Sequence, residues 1–271
     1  MSPDANPTLA AAIAALEAGL AAQPRRPFVF GLCGAQGSGK STLAGALAER
    51  FEAKGVRTAV LSIDDLYLTK AERERLAKEV HPLLGTRGVP GTHDVALGLD
   101  LLRALDEGRP AALPRFDKAR DDRAPESDWA TVSAGVELLI FEGWCVGAVP
   151  QPEEALAEPV NALERDEDPD GRWRRHVNAA LAGDYQALFG RIDLLMLLAA
   201  PGFEVVHGWR IQQERELEAR AGRKVMSDEE IGRFIQHYER ITRHILTEMP
   251  GRADLVAALG PDRSLTALQR R

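Results

Sequence analysis

Five short apolar runs stand out against a polar background. They are Phe28 to Cys33, Thr58 to Ile63, Val136 to Phe141, Ile192 to Leu198 and Asp254 to Ala258. Each is nearly continuous instead of alternating, the pattern of strands buried on both faces and hence of a mainly parallel sheet. The intervals between them leave room for crossover helices. Thr42 to Glu49 is helix-forming, and Gly55 fits a helix stop before the second run. Residues 1–26 are Ala-rich, and Leu9, Ile13, Leu16 and Leu20 fall near helical spacing, which predicts a short amphipathic helix. Pro24 to Pro27 then punctuate the chain before the first strand. Ser227-Asp228-Glu229-Glu230 reads as a capping box opening a helix that runs to about Met249.

Two stretches break this rhythm. Between the second and third runs the chain is loop-rich, with Arg87-Gly88, then Gly91-Thr92-His93-Asp94 and Pro114 to Lys118. Long connections in a compact domain often carry function. Residues 151–178 are polar and acidic around Glu164 to Asp170, and the charge pattern predicts a solvated excursion. The chain has no internal repeat. The expected architecture is three-layer α/β/α, one domain over residues 1–271.

Composition narrows the function classes. The chain has 271 residues, 45% of them hydrophobic, and a formal net charge of −7. The charge argues against nucleic acid as a partner, since a basic stripe is the usual footprint there. No apolar run approaches the ~20 residues of a membrane span. No basic region followed by an apolar core marks a signal peptide, so the cytoplasm is the expected compartment. Cys33 and Cys145 both adjoin apolar runs, which suggests small buried hydrophobes instead of a disulfide or metal site.

The strongest chemical signal follows the first run. Gly34-Ala35-Gln36-Gly37-Ser38-Gly39-Lys40-Ser41 is a complete Walker A loop with Thr42 opening the next helix. Strand, glycine loop and helix form the context that makes this pattern a phosphate cradle. Backbone N–H groups and the helix N-terminus hold phosphate oxygens, and glycines let the backbone approach them. Lys40 is expected to reach the β- and γ-phosphates of ATP, and the Ser41 hydroxyl to ligate Mg²⁺. The fold is therefore expected to be of the P-loop NTPase type.

A kinase also needs a group to orient the acceptor hydroxyl, a metal ligand and cations for the transition state. Asp64 and Asp65 end the second run, where ligands of open α/β sheets sit. Asp64 is expected to accept the acceptor's proton. Asp65 is expected to support it, one of the pair capping the helix that follows. Glu142 ends the third run at the Walker B position and is expected to hold Mg²⁺ directly or through water. Arg87, His93, Asp94, Arg115, Lys118 and Arg123 lie in the loops between these runs. Their cations suit an anionic acceptor or the γ-phosphate, since a forked guanidinium holds carboxylate and phosphate alike. Arg210 is expected to close over the phosphates from a helical lid at 203–228, although Glu214 also stands at its i+4 position.

Taken together, these pieces resemble the D-glycerate 3-kinase family, within the P-loop kinases of small metabolites that include phosphoribulokinase, uridine kinase and bacterial pantothenate kinase. The resemblance is carried by Gly34 to Thr42, Ser62 to Thr69, Arg87-Gly88, Gly91 to Asp94, Pro114 to Lys118, Asp122 to Ala124, Phe141 to Trp144, Trp209 to Gln212 and Met226 to Glu230. These occur in the family's order and cover roughly residues 27–250. The resemblance implies Mg²⁺- and ATP-dependent phosphorylation of a small hydroxylated acid, most simply D-glycerate. It implies Asp64 as base, Glu142 as the Walker B acid and Arg210 as the lid arginine. Tyr67 falls in the acceptor region by the same match. The chain departs from the pattern at Ala119-Arg120-Asp121, at Leu66 before Tyr67, and in a longer acidic 164–170 segment, which bear on the acceptor more than on the reaction. Other acceptors such as pantothenate, a nucleoside or a sugar phosphate remain as alternatives. So does, from another class, a nucleotide-dependent switch ATPase with the acidic segment as partner surface. The sequence leaves the oligomeric state open and assigns no residues to the adenine, although Ala258 to Pro261, after the last apolar run, are candidates to border the base by position alone.

Overall fold

The computed structural model describes residues 6–23, 27–221 and 226–271. Helix α1 (Pro7–Ala22) precedes β1 (Phe28–Gly34), and α2 (Lys40–Glu52) leads from the glycine loop to β2 (Thr58–Ser62). A 3₁₀ turn, Ile63–Leu66, follows directly, then α3 (Lys70–Glu79) and α4 (Val95–Asp106). Two small antiparallel ladders come next. One pairs β3 (Ala111–Leu113) with β6 (Ala130–Val132), and the other, nested inside it, pairs β4 (Phe116–Asp117) with β5 (Asp122–Arg123). The chain continues through β7 (Leu138–Gly143), α5 (Ala162–Glu167), α6 (Arg172–Ala182), α7 (Asp184–Phe189) and β8 (Leu194–Ala199). It ends with α8 (Glu204–Ala221), α9 (Asp228–Glu248), β9 (Leu255–Leu259) and β10 (Leu265–Arg270).

The central sheet has six strands in the order β10-β9-β8-β1-β7-β2, all parallel except β10. The five apolar runs form the five parallel strands, as expected. The edge strand β10 has no counterpart among those runs, because only Leu265 in it is even half-buried. The strands are covered on both faces, which is why they read as continuous apolar runs. Phe28, Phe30, Leu32, Ile140, Met196 and Ala257 point toward α1 and α2. Val29, Cys33, Phe141, Leu197 and Val256 point into the larger core that includes residues of α4, α6, α7 and α9. Cys33 and Cys145 are both buried and free. Burial pushes the Cys33 thiol up to about 12, consistent with an inert packing role.

Register decides what meets at the carboxyl edge of the sheet. Glu142 on β7 lies level with Leu32 on β1 and with Ser62 on β2. The glycine loop, the aspartate pair and the Walker B acid therefore leave the sheet side by side.

Several expectations change. Helix α1 buries Thr8, Ala12, Ala15 and Leu16, while Leu9, Ile13 and Leu20 are only partly covered, so its inward face is shifted by about one position. Pro24 to Arg26 and residues 1–5 lie outside the described residues, as do residues 222–225 of the expected lid. The acidic stretch at 151–178 is largely exposed, as expected of a solvated excursion, but it is anchored by buried charges that the pattern does not predict. Glu164 and Asp168 are fully buried, whereas Arg165, Asp166 and Asp170 face solvent. Glu164 receives Arg240 Nε at 2.8 Å and Nη2 at 2.6 Å from α9. Asp168 accepts the amides of Trp173 and Arg174 and the Arg174 guanidinium. Buried charges are tolerated when paired and hydrogen-bonded in this way. The segment is thus pinned to α9, whose capping box on Ser227 and Glu230 forms as expected.

Candidate active site

The loop from Gly34 to Lys40 turns back on itself through a hydrogen bond from Ser38 N–H to Ala35 O. Gly37 and Gly39 adopt left-handed φ values of 75° and 90°. At Gly37 a Cβ would stand 2.7 Å from the Cβ of Trp209 on α8, so only glycine fits between loop and helix. Ser41, one residue into α2, donates its hydroxyl to Glu142 Oε1 at 2.9 Å. The other oxygen of this buried carboxylate, Oε2, has no protein partner.

That orphaned oxygen beside a hydroxyl fits Mg²⁺. Glu142 and Ser41 would hold it, with phosphate oxygens and water as its other ligands, as is usual for a nucleotide-bound Mg²⁺. Among the described residues no group of three or more His, Cys, Asp and Glu side chains forms a self-sufficient metal cage.

Asp64 sits on the 3₁₀ turn after β2. Tyr67 donates to its Oδ1 at 2.8 Å and Lys118 to its Oδ2 at 2.6 Å. Burial pushes the carboxyl up, but the charges of Lys118 and Lys40 and the bonds from Lys118 and Tyr67 together outweigh it. They hold Asp64 well below the usual carboxylate range. Asp65 is pushed up by burial and accepts the Phe116 amide at 3.0 Å, which fastens β4 to the turn. It does not cap the following helix. Thr69 does that, in a capping box with Glu72.

A cavity of about 160 Å³ lies in front of these groups. Lys40, Arg87, Lys118 and Arg210 reach it, against the carboxylates Asp64 and Glu142. Its far wall is aromatic, from Trp144, Phe234 and Tyr238. Asp65, Arg115 and Lys118 border a wider adjoining cleft that also reaches Ser41 and Asp64. The remaining loop residues named from the sequence stand behind this surface. His93 stacks on Tyr67 with ring centroids 4.6 Å apart, and its Nδ1 meets the Tyr185 hydroxyl at 2.6 Å. Burial lowers its pKa to about 4, so the ring is neutral. Asp94 caps α4 through Leu97 N–H and pairs with Arg123 at 3.0 Å. Arg123 also donates to the Tyr67 carbonyl. These three hold Tyr67, and through it Asp64, in place.

Arg87 is paired with Asp121 and lies 5.5 Å from the Phe116 ring. Arg210 lies on α8 and does both things the sequence allowed. It pairs with Glu214 at 2.6 Å and it reaches the cavity.

Other residues escaped the sequence reading. Phe234 and Tyr238 of the aromatic wall are among them, since they come from α9 and carry no local motif, whereas Trp144 lies in the quoted Phe141 to Trp144 piece. Tyr238 donates to Arg87 O at 3.1 Å, and Trp144 Nε1 donates to Gly88 O at 2.9 Å. Arg263, in the loop after β9, is another. Its Nε donates to Gly37 O and its Nη1 to Gln212 Oε1 at 2.9 Å, while the guanidinium lies 5.2 Å from the Trp209 ring. With Thr8, Leu9, Thr42, Leu43 and Leu259 it lines a second cavity of about 260 Å³ beside the glycine loop. The apolar step Leu259-Gly260 after the last parallel strand was the available signal for that loop.

The chain is similar to known P-loop kinases in sequence and in fold. The phosphoribulokinase/uridine kinase family model matches residues 29–151. An uncharacterized kinase of Schizosaccharomyces pombe, mug58, is 40% identical over 228 residues, covering 79% of each chain. The chloroplastic D-glycerate 3-kinase of Arabidopsis thaliana is 33% identical over 222 residues, covering 78% of this chain and 46% of the plant protein. This chain thus spans about half the length of that relative. The solved structure of D-glycerate 3-kinase from Cryptococcus neoformans superposes with a TM-score of 0.83 at 26% identity, covering 98% of this chain and 100% of that one. No described helix is long and apolar enough to cross a membrane. On these similarities the chain belongs to the phosphoribulokinase/uridine kinase family of P-loop kinases, which transfer a phosphoryl group from ATP to a hydroxyl of a small molecule.

Proposed function

We propose that the protein phosphorylates a small hydroxylated carboxylic acid, most specifically D-glycerate to 3-phosphoglycerate. The carrying observation is the company kept by Asp64. The acid is one of two carboxylates in a small cavity reached by four cations. Arg87, Lys118 and Arg210 stand there beside Lys40 of the glycine loop, and the partly exposed ion pairs of Arg87 and Lys118 can be exchanged for a second anion. The D-glycerate 3-kinases among its relatives support the same acceptor.

In this reading Lys40 and the loop amides hold the β- and γ-phosphates. Ser41 and Glu142 hold Mg²⁺, which when bound neutralises charge on the β- and γ-oxygens. The acceptor oxygen, oriented by Asp64, attacks the γ-phosphorus in line. The bond to the β,γ-bridging oxygen breaks, ADP departs, and the hydroxyl proton passes to Asp64. A depressed carboxyl is a weak base for an intact hydroxyl. It suffices in a loose transition state, where the proton leaves late and positioning dominates. Arg87, Arg115 or Lys118 binds the acceptor's carboxylate. Arg210, on the helix that begins the proposed lid, closes over the transferring group. The base of ATP occupies the cavity between α1, α2 and Arg263.

The test is ADP release with Mg-ATP across D-glycerate, L-glycerate, pantothenate, uridine and ribulose 5-phosphate, with Lys40→Ala as blank. Stimulation by D-glycerate alone is the expected result. Stimulation by a different acceptor on the panel, and not by D-glycerate, overturns the acceptor assignment.

A further inference from the structure

Lys118 Nζ sits 2.6 Å from Asp64 Oδ2, and Tyr67 occupies Oδ1, so both oxygens of the candidate base are engaged. Lys118 stands between β4 and β5, and the backbone of that hairpin is fastened on both sides. Asp65 accepts the Phe116 amide, and Asp122 accepts the Lys70 amide at 2.9 Å. The Lys118 side chain is 59% exposed, whereas Asp64 is 29% exposed. A fixed backbone with a free, four-carbon side chain lets the ammonium change partner without moving the fold. An ion pair with one largely exposed member is weak enough to be exchanged for another anion.

We propose that Lys118 makes catalysis conditional on an anionic acceptor: it masks Asp64 in the acceptor-free enzyme and is drawn off by the acceptor's own negative group, which frees Asp64 for the hydroxyl. The inference rests on the reading of Asp64 as the group that receives the acceptor's proton. It also narrows the acceptor. The negative group must lie close to the reacting hydroxyl, because Lys118 serves both within one side chain's reach. Removal of Lys118 from Asp64 has a chemical consequence as well. Burial then acts on the carboxyl against Lys40 and Tyr67 alone, and its proton affinity rises.

With the mask in place, Asp64 is not available to a water molecule. With Asp64 uncovered, a water molecule can take the acceptor's place. Its oxygen would bond to the γ-phosphorus as the bond to the bridging oxygen breaks. ADP and inorganic phosphate would form, with the proton received by Asp64.

The experiment is acceptor-free ADP release from Mg-ATP by the wild type, Lys118→Met, Lys118→Arg and the double variant Asp64→Ala/Lys118→Met. ATP affinity, measured by titration, serves as the check on folding. Lys118→Met is expected to hydrolyse ATP at least ~10-fold faster than the wild type, part of the ~10²–10⁴ a positioned base contributes. Lys118→Arg, which keeps a positive charge beside Asp64, is expected to hydrolyse ATP more slowly than Lys118→Met, and the double variant to return to background. Unchanged or slower hydrolysis in Lys118→Met with ATP affinity intact overturns the mask and leaves Lys118 as an anion-binding residue. Fast hydrolysis that survives in the double variant overturns the route through Asp64. None of the four arms contains an acceptor, so failure of the D-glycerate assignment would be visible separately in the acceptor panel.

Discussion

The Ser41 hydroxyl donates to Oε1 of Glu142 across 101 residues of sequence, and the buried Oε2 of that carboxylate is left without a protein partner. An unsatisfied buried acceptor costs about 1–3 kcal/mol. A fold retains such a group where a ligand completes it. Glu142→Gln removes the buried charge, so in Mg²⁺-free buffer the variant is expected to melt at a higher temperature than the wild type. Its turnover is expected to fall by ~10²-fold or more, because a metal's charge stabilisation is worth several kcal/mol. Thermal unfolding in EDTA and steady-state rates against Mg²⁺ concentration check both halves.

Asp64→Ala is expected to lower turnover by ~10²–10⁴-fold, the usual contribution of a positioned base. ATP affinity should hold, since Asp64 is not part of the glycine loop. Near-normal turnover would remove Asp64 from the chemistry.

Gly88 has φ of 135°, and a Cβ there would lie 2.0 Å from the Tyr238 hydroxyl oxygen. Gly88→Ala therefore combines overpacking, about 1–3 kcal/mol, with backbone strain of similar size. The expected loss is about 3 kcal/mol in denaturant unfolding. Adding Tyr238→Phe, which removes the nearest atom, should recover part of it, and the strain should remain.

Arg240 and Glu164 form a buried pair that fastens the acidic segment to α9. Arg240→Met strands Glu164 and is expected to destabilise by about 3–5 kcal/mol. Arg240→Met with Glu164→Leu should cost much less, because no charge is then left buried. Comparison of the single and double variants in urea separates the two. A double variant as unstable as the single would count against the pairing argument.

His93 and His237 are both lowered to about 4, by burial first in each case. Between about pH 4 and the ordinary value of 6.5 the unfolded chain binds protons at these sites and the folded chain does not. Stability is therefore complete above 6.5, falls as the pH drops through this window, and stops falling on their account below 4. The denaturation midpoint should decline between pH 7 and pH 5. His93→Phe keeps a ring against Tyr67 and should make that decline shallower, whatever its effect at neutral pH.

The sequence by itself determined the elements whose signals are local. Buried parallel strands are apolar throughout, so the five runs are legible without a partner in view. The Walker A loop is legible because its glycines, lysine and serine act within eight residues. The ends of β2 and β7 were equally plain, and with them Asp64 and Glu142. The short ladders β3–β6 and β4–β5 were not legible, since two or three residues carry no period. Nor was β10, an exposed edge strand.

Only the tertiary structure decided which charges face the cavity. Arg87, Lys118 and Arg123 look alike along the chain, each a loop cation. The fold turns Arg87 and Lys118 toward the cavity with Asp64, and pairs Asp94 with Arg123 behind Tyr67. It likewise buried Glu164 and Asp168 while leaving Asp166 in water. Charge is a property of the residue, but its cost and its use depend on distance to a partner and on the water excluded around it. Those distances are set by contacts hundreds of atoms away in sequence, such as Arg240 to Glu164 and Phe116 to Asp65. Local pattern therefore specified the sheet and the phosphate cradle, and long-range packing chose the acceptor side of the site.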